Sequence, residues 1–188
     1  GRVLAALSDF DAWASSKSLS LAPAKSTVTL FTPDTHQSRL HPPVVVRGSA
    51  IKLDRSPRIL GVIFDTHFTF AAHAREIAAK AKSKLAVMKA TAGSTWGASK
   101  EILSMTFKGL VKSSLNYCAP VWAPNMARSS FNKLQAVQNA ALRLATGCHS
   151  STPVQHLHQE MMELPVEDHA HMLGAHFHET TMRASTCT

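Results

Sequence analysis

Cysteine is scarce in this chain of 188 residues: it has three, Cys118, Cys148 and Cys187, and they lie far apart. An odd, sparse set argues against a disulfide framework and fits a reducing compartment, so an intracellular setting, nuclear or cytoplasmic, is expected. Long hydrophobic runs are missing as well. No stretch approaches the roughly 20 apolar residues that span a bilayer, so no membrane partner is expected. The opening "GRVLAALSDFDAW" is broken by Asp9 and Asp11 before an apolar core develops, and it does not read as a signal peptide. Carboxylates are in short supply, with 12 Asp and Glu against 20 Lys and Arg. The first residue is Gly rather than Met, which reads as a piece of a longer polypeptide.

What is present is positive charge on an ordinary apolar background. The formal net charge is +8 and the hydrophobic fraction 45%. That balance allows a buried core in one domain or two small ones. It points to a polyanionic partner, most often nucleic acid, with plain solubility as the alternative.

Residues 2–20 are predicted helical, with Val3, Leu7, Phe10 and Ala14 at helical spacing, and Pro23 ends the pattern. "KSTVTLFT" (25–32) alternates and is β-branched, so it predicts a strand. The polar, proline-bearing 33–43 is a loop, and 44–53 a hairpin about Arg47-Gly48-Ser49. "RSPRILGVIFD" (55–65) then predicts a strand with Gly61 at its centre. A glycine inside a strand marks a bulge or a close approach by another backbone or a ligand.

Past residue 66 the period becomes helical. Ile77, Ala81, Leu85 and Met88 share one face of a helix over 70–92. Ile102, Leu103, Phe107, Leu110 and Val111 mark a second over 99–116, and Phe131, Leu134, Val137, Ala141 and Ala145 a third over 128–146. Gly93 and Gly147 lie where helices stop, with Ser94 or Ser99 and Ser129 or Ser130 as candidate caps. Residues 149–181 predict two shorter helices broken at Pro165, before a frayed end. The fold class expected is α+β: an N-terminal helix with a small antiparallel sheet, then an all-α bundle.

Four pieces in this order resemble the reverse transcriptase of non-LTR (LINE-type) retrotransposons. They are "DAWASSKSLSLAPAKSTVTLF", the hairpin, "RILGVIFDTHFTFAAH", and helices holding "STWG" and "LNYCAPVW". The match looks like the end of the palm (1–66) followed by the thumb (67–147), with a histidine-rich helical tail (148–188) on which the resemblance is silent.

The resemblance implies roles for particular residues. Lys25, in "LAPAKS", matches a family lysine near the phosphates of the incoming nucleotide, where it neutralises charge or protonates the leaving pyrophosphate. Its plain alternative is a solvated strand-edge lysine. Ala22 departs from the usual Asn of that turn. Ile59-Leu60-Gly61-Val62 matches the primer grip, with Ile59 replacing an aromatic. There the Gly61 backbone would press on the primer end, and Arg55 and Arg58 would reach its phosphates. In the first thumb helix Arg75, Lys82 and Lys89 form a seven-residue row beside the apolar stripe, a cationic rail for a nucleic-acid backbone. Lys80, Lys84, Lys108 and Lys112 carry the same reading, with a solvated face as the alternative. Trp96, Tyr117 and Trp122 are core anchors or base-stacking rings.

Polymerisation needs paired carboxylates that hold two metal ions. The family supplies them from an aromatic-x-Asp-Asp motif, and none occurs here. Asp9 and Asp11 point about 200° apart on a helix and are expected to face solvent. No cofactor is therefore expected in this chain, and Mg2+ belongs to the intact enzyme. The partners implied are an RNA/DNA primer-template and the remaining palm and fingers. The pairs His156/His158, His169/His171 and His176/His178 lack the i, i+4 spacing of a helical metal site and are expected at the surface. Two other readings remain at this point: a catalytically dead helical interaction module, and a histidine-dependent metallohydrolase.

Overall fold

The computed structural model describes residues 2–40, 43–93 and 97–186, and the side chains of Arg2–Leu4 and Thr186 are not among those described. Ser94, Trp96 and Cys187 fall outside the described residues, so the expectations placed on them find no counterpart. The chain divides into two compact units, Gly1–Phe68 and Thr69–Thr188.

The first unit opens with α1 (Arg2–Ser16). The helix stops short of residue 20 because Ser18 turns left-handed at φ 57°, while Lys17 and Leu19 both donate to Ala14 O. The expected apolar stripe is only partly buried. Ala14 is enclosed, but Phe10 and Trp13 remain half exposed and pack on each other at 5.6 Å. Asp11 is part-exposed, and the Arg47 guanidinium reaches it at 2.8 Å. Arg47 also donates to Ser15 Oγ at 3.2 Å.

The sheet differs from the single antiparallel one expected. Among the described residues three separate two-residue pairings form, and one of them is parallel. Strand β1 (Thr27–Val28) runs parallel to β4 (Lys52–Leu53), with Thr27 opposite Lys52. The pairing is extended by Asp54 N–H donating to Val28 O at 2.9 Å and Thr29 Oγ1 donating to Asp54 O at 2.7 Å. A parallel pair needs a long crossover, and residues 29–51 supply it, including a 3-10 turn at Gln37–Arg39. Inside that crossover β2 (Val45–Val46) and β3 (Ser49–Ala50) make the expected hairpin, with Arg47 at φ 50° and Gly48 at φ 76°.

Strands β5 (Arg58–Ile59) and β6 (Val62–Ile63) pair antiparallel around Leu60-Gly61. Gly61 is therefore not the centre of a strand. It is the second residue of a two-residue turn, at φ 86° after Leu60 at φ 48°. Positive φ at both positions defines the mirror-image type I turn, whose twist matches that of the flanking strands. Glycine suits this place because its backbone carries no Cβ penalty there. The unit's interior is small: Ala14, Val44, Val46 and Val62 are buried.

The second unit is wholly helical among the described residues. Helix α2 (Ala71–Thr91) buries Ile77, Ala81, Leu85 and Met88, the stripe read from the sequence. Its first turn is preceded by Phe70, which is buried and left-handed at φ 53°. The next segment is capped by Ser99, whose Oγ accepts from Ile102 N. It is not one continuous α-helix: α3 (Lys100–Thr106) passes through a π-helical stretch (Phe107–Lys112) into the short α4 (Ser113–Leu115). Leu103, Phe107 and Val111 are buried, whereas Ile102 and Leu110 are exposed. A short helix α5 (Ala119–Trp122), unforeseen in the sequence, follows. It buries Trp122 completely, and the indole Nε1 donates to Tyr117 O at 2.8 Å. Tyr117 itself is exposed, so it is no core anchor.

Helix α6 (Arg128–Thr146) buries Phe131, Leu134, Val137, Ala141 and Ala145, as its period predicts. Its N-cap is Ala127, with no side-chain cap, and neither Ser129 nor Ser130 serves. Gly147 closes it in the left-handed conformation. Helix α7 (Val154–Met161) ends before Pro165. Helix α8 (Val166–Thr186) is longer than expected and runs to the end of the described chain. It packs on α5 and α6, and Gly174 passes the Pro120 backbone, where an added Cβ would meet Cα at 3.9 Å. Residues 154–174 thus belong to the bundle and are not an appended tail.

Candidate nucleic-acid interface

The packing of α2 on α6 is the most extensive between any two helices described. Ala78, Ala79 and Leu85 on α2 and Ala136, Val137 and Ala140 on α6 line a groove of about 520 Å³. Leu85 and Val137 are its buried larger members, whereas Ala79 and Ala136 are exposed toward its margins. Those margins are cationic: Arg75 and Lys82 on α2 face Lys133 on α6 across the groove. Arg75 and Lys82 are two turns apart, about 10 Å along the axis. Lys133 was missed in the sequence: it shares a helix face with Ala136 and Ala140, but only the packing of α6 on α2 brings it to the groove with Arg75 and Lys82. Lys89, the third member of the predicted row, is exposed in the last turn of α2 and is not part of the groove lining.

The other lysines of the sequence reading are engaged within the unit. Lys80 pairs with Glu76 at 2.6 Å. Lys84 Nζ donates to Ser114 Oγ at 2.5 Å. Lys112 lies 2.6 Å and Lys108 3.9 Å from Glu163, whose carboxylate is buried. The π-helical stretch brings both lysines to that one group.

In the first unit, Lys25 is exposed at the end of a 3-10 turn (Pro23–Lys25), not within a strand. Across that turn Ser26 Oγ donates to Ala22 O at 3.0 Å. Arg55 is exposed in the bend after β4, Arg58 is exposed in β5, and Leu60 is 87% exposed at the hairpin tip. At the hairpin base lies a hollow of about 540 Å³ lined by Thr27, Thr29, Phe31, Asp54, Pro57, Arg58 and Ile59.

The histidines are not uniformly at the surface. His158 is half-buried, with Nδ1 2.8 Å from Glu163 O and Nε2 3.1 Å from Gln135 Nε2. Gln135 Oε1 accepts from Val166 N at 2.8 Å, and Gln138 Nε2 donates to Leu164 O at 2.9 Å. The turn between α7 and α8 is thereby tied to α6. His169 is held below its ordinary value by burial and by Lys112. Among the described residues no group of three His, Cys, Asp or Glu side chains is placed to hold a metal ion, and no helix is long and apolar enough to cross a membrane. Asp11 is committed to Arg47. The side chains present do not fit a two-metal centre, and no chemical step is assigned to them.

A curated protein of Drosophila melanogaster, described as a probable RNA-directed DNA polymerase from transposon X-element, is 24% identical to this chain over 174 residues. The similarity covers 93% of this chain and 19% of that relative, so the chain spans about a fifth of the relative's length. No family model matches, and no solved structure matches. The resemblance seen in the motifs and the likeness found by comparison both point to the RNA-directed DNA polymerase of a transposon.

Proposed function

We propose that this chain is a duplex-gripping part of a retrotransposon reverse transcriptase, a thumb-like bundle preceded by the end of the palm. The catalytic carboxylates and their Mg2+ belong to polypeptide outside this chain, together with the rest of the palm and fingers. The observation that supports this best is the apolar groove with Arg75 and Lys82 on one helix and Lys133 on the other. Guanidinium and ammonium groups on two banks can take phosphates of a primer-template backbone, while the alanine, leucine and valine side chains between them carry no donor or acceptor that reads a base edge. Such contacts supply affinity without sequence preference. Lys25 near the nucleotide phosphates, and the exposed Leu60-Gly61 tip with Arg55 and Arg58 against the primer end, complete the reading.

The test is fluorescence anisotropy with a labelled RNA–DNA primer-template across a salt series. The chain is expected to bind with a steep salt dependence. The triple variant Arg75→Ala, Lys82→Ala, Lys133→Ala should lower the slope of log affinity against log salt by about 3. Lys108→Ala, whose charge is directed at Glu163, should leave the slope in place. A folded triple variant with unchanged affinity and slope would remove the groove from the interface. Failure of the wild-type chain to bind at low salt would leave an inert helical interaction module.

A further inference from the structure

We propose that the hollow at the base of the β5–β6 hairpin seats one unpaired nucleobase of a single-stranded nucleic acid, with Phe31 as the stacking surface. The inference rests on the nucleic-acid reading above and adds to it a second, base-contacting site in the other unit. Phe31 lines the hollow and remains 38% exposed. The ring is braced from behind. Phe68 stacks on it with centroids 4.7 Å apart and planes 25° from parallel. Phe64 abuts both rings edge-on, at 6.3 Å from each. A ring held by two others loses little freedom when a ligand stacks on it, which is the condition for a tight contact. Across the hollow, Ile59 is half exposed and offers the opposing apolar wall.

The charge around the hollow selects the occupant. Arg58 lines it, and Lys52 is the register partner of Thr27 in its wall. Lys25 and Arg55 lie within two residues of lining positions. Asp54 is the only carboxylate in the lining, and its Oδ1 already accepts from Ser56 N at 2.9 Å. A planar apolar surface beside the Arg58 guanidinium suits a base attached to a phosphate backbone, and base–aromatic stacking tolerates any sequence. Neither an apolar peptide nor a lipid chain accounts for both features. A base within a duplex is already stacked on both faces, so the occupant is a single strand.

The test uses the full chain and an unstructured oligothymidylate carrying one 2-aminopurine, whose fluorescence falls on stacking. Saturating protein should quench the probe. Phe31→Ala and Phe31→Leu should abolish the quenching and weaken binding about 5- to 150-fold, the range for one stacked base. Phe31→Leu keeps apolar bulk behind Phe68, so it separates loss of stacking from loss of folding. Phe31→Trp should restore quenching, and Arg58→Gln should retain it while lowering the salt slope by about 1. Quenching that survives Phe31→Leu, or a saturated complex without quenching, overturns the base seat and leaves the groove reading standing. Absence of any complex at low salt overturns both.

Discussion

Lys112 and Glu163, 51 residues apart in the chain, meet at 2.6 Å across the helical unit, with the Glu163 side chain only 2% exposed. Lys108 adds a second cation at 3.9 Å. Glu163 O faces His158, and Leu164 O receives the Gln138 amide. The Glu163 carboxylate, the Leu164 carbonyl and the Val166 amide, which donates to Gln135 Oε1, thus bind the α7–α8 turn to the rest of the bundle.

Removing one partner strands the other. Lys112→Met should destabilise the helical unit by about 3 kcal/mol, because a buried carboxylate loses its nearest counter-charge. Lys112→Met combined with Glu163→Leu should recover most of that loss, since two apolar groups need no pairing. Urea denaturation of the three proteins checks both. A double variant as unstable as the single one would show that Glu163 holds the turn by another route.

Stability should depend on pH through His169. Burial and the nearby Lys112 hold its imidazole below the ordinary 6.5, with Glu163 opposing. The unfolded chain therefore takes up this proton at higher pH than the folded one. The contribution is complete above about pH 6.5, is lost as the pH falls through that value, and levels off once folded His169 is protonated. Denaturation midpoints between pH 8 and pH 5 should fall, and His169→Asn should flatten the difference.

The Leu60-Gly61 turn carries avoidable strain. Leu60 holds φ 48° while 87% exposed, so its side chain contributes little packing in return. Leu60→Asn should stabilise the first unit by up to about 1 kcal/mol, because Asn tolerates the left-handed region. Gly61→Ala, at φ 86°, should destabilise it by about as much. Hydrogen exchange of the β5–β6 amides reads both directly.

Gly97 has little room for a side chain. A Cβ there would lie 2.8 Å from Gly93 O and closer still to Gly93 N. Next to these two glycines Ala98 N donates to Thr91 O at 3.0 Å. Gly97→Ala should lower stability by about 1–3 kcal/mol, the range for forced overpacking. A thermal melt unchanged from the parent would mean that the loop relaxes without loss.

Much of the bundle was legible in the order of residues. The stripes of α2 and α6 were read position by position, because the side chains each helix buries recur at three- and four-residue steps and a period of 3.6 reports them directly. The third stripe was legible only in part. A π-helical stretch shifts the phase after Thr106, so Leu110 falls outside the face that Phe107 and Val111 share. The sheet was harder to see. Two-residue strands carry too little alternation to reveal direction, and the parallel pairing of β1 with β4 joins segments 25 residues apart. In the groove, Arg75 and Lys82 were marked from their own helix, but Lys133 belongs to another and needed the packing to place it.

The sequence by itself determined the α+β order of elements, the excess of positive charge, the buried faces of α2 and α6, and the likeness to a transposon polymerase. Each is a local pattern or a composition, and neither needs knowledge of what lies across the fold. Tertiary structure alone decided which cations remain directed outward. Lysines at similar spacings end in different places: Lys82 borders an open groove, whereas Lys112 points at a buried carboxylate. The difference comes from Glu163, which the chain delivers from a distant turn. A lysine's role depends on the charge that packing brings to it, and helical spacing does not contain that information.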